Sequence, residues 1–166
     1  MKPQDLLLTI KLLSAPEDAR TFPKLAAEVG MSASEVHAAM RRAAASGLVD
    51  AVTRTVRRAA LAEFLVHGLK YVFPAERSGV TRGIPTSYAA PPLRDHFSIG
   101  ELPPVWPDPE GTTRGEGLLP LYRSVPEAAR RDPQVYEWLA LIDAVRSGRA
   151  RERNAAAKEI ERRLAH

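Results

Sequence analysis

Leu25-Ala26-Ala27-Glu28-Val29-Gly30-Met31-Ser32-Ala33-Ser34-Glu35-Val36-His37-Ala38-Ala39-Met40-Arg41-Arg42, followed at a short distance by Ser46-Gly47-Leu48-Val49, decides how this chain is read. Two apolar-periodic segments meet at Gly30, where a three-residue turn demands a positive φ. Leu25, Val29, Met31, Val36 and Met40 have the spacing to fill a small core shared by the two segments and a preceding helix. Ala26 is small where two helices would cross closely. Ser32 or Ser34 caps the second segment, and Gly47 stops it with Leu48 folding back on the last turn.

These residues resemble the helix-turn-helix of winged-helix regulators, the MarR-like bacterial families among them. There, L-A-x-x-hydrophobic-G-hydrophobic-S precedes a recognition helix and G-L-V closes it. The likeness covers residues 5–50, under a third of the 166-residue chain. It implies an N-terminal winged helix-turn-helix that binds duplex DNA as a homodimer and controls transcription. It further implies that Ser32, Ser34, His37, Ala38 and Arg41 lie on the groove-facing side of the third helix, with Arg42 one step around it. Arg41 would reach guanine edges or phosphate, His37 a base edge or phosphate, and the serines phosphate. Ala38 offers only apolar contact with a thymine methyl. So lean a surface implies modest selectivity per subunit.

Upstream, Pro3 to Ser14 carries Leu6, Leu7, Ile10 and Leu13 at helical spacing, and Pro16 ends that helix. The second helix runs from Phe22 to Val29, with Thr21 as its cap. Downstream the pattern departs from the family. Asp50 to Thr55 is too short for a full wing, and a fourth helix fits residues 55–68. Lys70-Tyr71-Val72-Phe73 reads as a strand, Ala75 to Gly83 as turns and Ile84 to Tyr88 as a returning edge strand. The wing is therefore expected at residues 70–88, with Arg77 and Arg82 near its tip, or not at all. Arg54, Arg57 and Arg58 are expected to open the fourth helix. Basic residues there oppose the helix dipole, which gives phosphate contact as one reason for them and chance as the other.

Residues 84–120 hold eight of the fourteen prolines and four of the ten glycines, which excludes a regular helix and reads as an extended arm or linker. The last third is helical again. Ser124-Val125-Pro126-Glu127 and Asp132-Pro133 open helices, the second carrying Val135, Trp138, Leu139 and Ile142. The final helix is rich in Ala, Arg and Glu. The expected organisation is a winged helix-turn-helix over 1–88, a proline-rich arm over 89–120 and a helical segment over 121–166. That last segment is assigned to dimerisation, or to a partner protein or small effector.

Composition agrees with a mainly α fold. Apolar residues make up 45% of the chain, but aromatics only 6%, which favours close helix packing over a large sandwich. No run approaches the roughly 18 apolar residues of a membrane span, and no secretory leader is visible, so a cytoplasmic location is expected. The net charge of +4 is concentrated: five arginines and one acid, Asp50, lie between Arg41 and Arg58. A local basic patch is what phosphate binding needs, and equally what a solvated arginine face looks like.

Enzyme chemistry finds no foothold. Cysteine is absent, which removes thiolate nucleophiles and thiolate metal sites. The four histidines lack ligand spacing, and Ser78 and Ser87 lack a nucleophile elbow. Gly111-Thr112-Thr113-Arg114-Gly115-Glu116-Gly117 lacks the Gly-Lys-Ser/Thr ending of a phosphate loop. Neither cofactor nor metal is expected. The competing expectation is a protein-interaction adaptor or antitoxin built on the same fold.

Overall fold

The computed structural model describes residues 1–166. Helix α1, Pro3–Ser14, starts with proline in its first turn, where a missing N–H costs nothing, and Asp5 accepts from the Lys2 amide at 2.7 Å. Leu6, Leu7, Leu8, Ile10 and Leu12 are all buried, so α1 is enclosed on nearly every side rather than amphipathic. Helix α2, Phe22–Val29, stops at Gly30, whose φ of 67° lies in the left-handed region. A side chain at Gly30 would also press, at 3.0 Å, on Ser124 and Glu127 of the C-terminal third. The glycine thus serves the turn and the packing together. Helix α3, Ala33–Ala45, opens on a capping box: the Glu35 amide donates to Ser32 Oγ and the Ser32 amide to Glu35 Oε2.

Residues 48–57 form a minimal hairpin in the stretch that is too short for a full wing. Val49 bridges Val56 antiparallel, with Asp50 N–H donating to Thr55 O and Arg57 N–H to Leu48 O. The Asp50 carboxylate closes the loop by accepting from the Val52 and Thr53 amides and the Thr53 hydroxyl. Arg54 takes a φ of 54° in this loop, so it does not open a helix.

The strand expected over Lys70–Phe73 is instead the end of helix α4, residues 58–72, which contains one π-helical turn at Phe64–Gly68. Leu61, Leu65 and Leu69 recur every four residues and are fully buried. Burying that row outweighs the strand propensity of Tyr71 and Val72. The expected 70–88 hairpin is therefore absent. Strand β1, Arg77–Pro85, pairs antiparallel with two strands from the proline-rich segment, β2, Pro104–Pro107, and β3, Thr113–Leu118. β2 and β3 also pair, in parallel, closing a small three-stranded barrel. Closure needs close backbone approach; at Gly115 any Cβ would strike the Pro103 carbonyl.

Three C-terminal helices complete the molecule: α5, Val125–Arg131, α6, Pro133–Ser147, and α7, Ala150–Leu164. Helix α6 holds the barrel in place. Asp143, fully buried, accepts from Thr86 Oγ1 at 2.7 Å, Trp106 Nε1 at 2.6 Å and Arg146 at 2.8 Å. Burial pushes its carboxyl above the ordinary range, against the pull of Arg146 and the two neutral donors. Arg146 in turn donates to the Phe73 and Pro74 carbonyls at the end of α4. One cluster of 35 buried apolar residues runs from Leu6 to Leu164 and includes Trp106. The N-terminal helices, the proline-rich segment and the C-terminal helices all contribute to it. The chain is predominantly helical with a small sheet, and no helix is long and apolar enough to cross a membrane.

Candidate nucleic-acid interface

Helix α3 is fixed on three sides. Val36, Ala39, Met40 and Ala43 bury one face in the core. At its C-terminal end Arg42 grips Asp5 of α1, Nε lying 2.9 Å from Oδ2 and Nη2 2.7 Å from Oδ1. At its start Glu35 faces the Tyr122 hydroxyl at 3.4 Å and Arg123 at 3.5 Å. The turn before it is pinned by Ser124 Oγ, which donates to Val29 O at 2.6 Å. What remains outward is Ser34, His37 and Arg41, with Ala38 half-buried between them. Arg41 has no carboxylate partner. The cap holds the Glu35 carboxyl below its usual range, chiefly through the Ser32 amide.

The minimal hairpin is locked beside this face. Arg54 stacks on the Phe22 ring at 4.2 Å and donates to Arg20 O at 2.5 Å. The His37 ring meets the same Phe22 edge-on, with centroids 5.1 Å apart. Phe22 is therefore the hinge pin between hairpin, α2 and the exposed row of α3. Arg57 stays exposed at the hairpin's exit, 4.0 Å from Asp50. The Asp50 carboxyl is held low mainly by the Thr53 amide.

The expected site residues thus divide. Ser34, His37, Ala38 and Arg41 share one outward row, with the Ser32 hydroxyl at its head but engaged in the cap. Arg42 belongs to a structural ion pair and Arg54 to a packing clamp. Arg58 donates to Arg163 O, tying α4 to α7. Arg77 sits on β1, donating to Ser147 O and paired with Glu116. Arg82 is exposed on β1 directly opposite Arg114 of β3, not at a hairpin tip. Sequence reading missed Arg123, three-quarters exposed beside the start of α3, because only the folding of residues 121–131 against the Gly30 turn brings it there.

No protein-family profile, curated protein or solved structure matches the chain. No group of His, Cys, Asp or Glu has the arrangement of a metal site.

Proposed function

We propose that the protein binds duplex DNA through the outward row of α3 and acts as a transcriptional regulator, as a homodimer reading two half-sites. The observation that carries this is Arg41: a cation on the exposed face of a capped helix, free of any acid, on a helix whose other sides are held rigidly. A helix presented in this way can enter the major groove, with Arg41 and His37 at base edges or phosphate and Ser34 at phosphate. The hairpin ending in Arg57 supplies a second, backbone-contacting element. Arg123 adds positive charge at the other end of the row.

Fluorescence anisotropy tests this with the duplex upstream of the protein's own gene against a scrambled duplex, at two salt concentrations. Preferential binding that weakens steeply with salt supports the reading. Equal, weak binding to both duplexes contradicts it and favours the adaptor or antitoxin role, with a protein rather than DNA as partner.

A further inference from the structure

A concavity of about 630 Å³ lies between β1, the loop after it and the start of α7. Ser87 lines it and carries two local costs. Its hydroxyl is the single buried side-chain polar atom without a hydrogen-bond partner, and its backbone sits at φ 56°, a region serine seldom adopts. Both costs at one residue point to a ligand group that the hydroxyl meets. The cleft is also lined by Arg149, the residue that precedes α7, whose side chain cannot accept a hydrogen bond and so cannot cap the helix. The amides of Ala150, Arg151 and Glu152 therefore point out of the helix with no acceptor. Arg149 and Arg151 line the same cleft without carboxylate partners. The two acids in the lining are already engaged: Glu116 with Arg77 at 3.4 Å, and Glu152 with the Arg149 amide at 2.7 Å. Tyr88 and Phe97, packed edge to face at 6.2 Å, supply an aromatic wall.

We propose that this cleft binds a small phosphate monoester attached to a planar ring. The phosphate lies among Arg149, Arg151, the first amides of α7 and the Ser87 hydroxyl, and the ring lies against Tyr88 and Phe97. The donors outnumber what the two oxygens of a carboxylate can use, and suit the three free oxygens of a phosphate monoester. This site stands whether or not α3 binds DNA.

The test is amide NMR of the full chain titrated with inorganic phosphate, adenosine 5′-monophosphate and adenosine. Phosphate is expected to shift the amides of 149–152 and Ser87 saturably. The nucleotide is expected to bind about tenfold more tightly than phosphate, from stacking on the aromatic wall. Adenosine is expected to bind far more weakly than the nucleotide. Ser87→Gly suits the local φ, so it should fold at least as stably as the wild type while losing about tenfold in phosphate affinity. Arg149→Ala should weaken both anions. Non-saturating shifts shared with Arg41 and Arg114, or unchanged binding in Ser87→Gly, would overturn the site. Adenosine binding as tightly as its monophosphate would overturn the phosphate assignment, and a nucleotide no tighter than phosphate would overturn the ring.

Discussion

Arg42 and Asp5 form a forked ion pair, the guanidinium making three hydrogen bonds of 2.7–3.0 Å to a carboxylate with no solvent exposure. The pair fastens the end of α3 to the first turn of α1. Removing either partner leaves the other charge poorly solvated, which typically costs about 3–5 kcal/mol, and the partial exposure of Arg42 favours the lower end. Asp5→Ala is therefore expected to lower Tm by roughly 2–4 °C for each kcal/mol of stability removed. The double variant Asp5→Leu/Arg42→Met should recover most of the deficit, because two apolar groups leave no orphaned charge. Thermal melts of the three proteins check this.

Arg41, one residue earlier, predicts the opposite pattern. It is exposed and makes no ion pair, so Arg41→Ala should change stability by no more than about 0.5 kcal/mol. Its DNA affinity should nevertheless fall, and the salt dependence of binding should shrink by about one phosphate interaction. Melting curves beside anisotropy titrations separate a direct role in DNA binding from a role in holding the fold.

Phe22 positions what α3 presents. Phe22→Ala removes the surface on which Arg54 stacks and His37 leans. DNA affinity is expected to drop although none of the groups proposed to contact DNA is deleted. Phe22→Tyr, which keeps the ring, should restore it. Failure of the tyrosine to rescue would place the effect elsewhere.

Acid should loosen the junctions between helices. Lys11 bridges Glu28 at 3.1 Å and Asp132 at 2.7 Å, and Asp132 also caps α6. Burial raises the Asp132 carboxyl, but Lys11 and Ser14 outweigh it and hold the group below its ordinary value. Arg162 and Arg163 hold Glu159 down at about 2. For a carboxylate whose folded value is depressed, the stabilisation is full above the unfolded value and disappears as pH falls through the folded one. Stability should thus decline below about pH 4.5 and keep falling toward pH 2. Asp132→Asn, which can still cap, and Glu159→Gln should each flatten that slope in melts taken across pH.

On the paired strands β1 and β3, Arg82 and Arg114 stand directly opposite each other and neither forms an ion pair. Like charges directly opposite on paired strands are destabilising, so Arg114→Glu should raise stability by roughly 0.2–1 kcal/mol. Denaturant unfolding at low salt would show the gain, and added salt should shrink it.

The two helices α2 and α3 and the turn between them were legible because their signals are local. Gly30 at the turn, the Ser32–Glu35 cap and the apolar spacing of Leu25 to Met40 each act within a few residues. The same local logic misplaced the middle of the chain. Tyr71 and Val72 favour a strand, and only the buried row Leu61, Leu65, Leu69 reveals the longer helix. Residues 104–118 look like a linker because their partners on β1 lie twenty or more residues away and their glycines serve strand crossing. At the candidate site the outward placement of Ser34, His37 and Arg41 on α3 is what the resemblance implied. The loss of Arg42 to an ion pair and of Arg54 to a packing clamp was not legible, since Asp5 and Phe22 are distant in sequence and the loop conformation at Arg54 carries no sequence mark.

The most direct test of DNA binding through α3 is the affinity of Arg41→Glu for the protein's own upstream duplex at low salt, set against the wild type. A drop of about tenfold or more, with the melting temperature unchanged, is the predicted result. Wild-type affinity retained by Arg41→Glu would contradict it, and would show that α3 is not the surface that meets DNA.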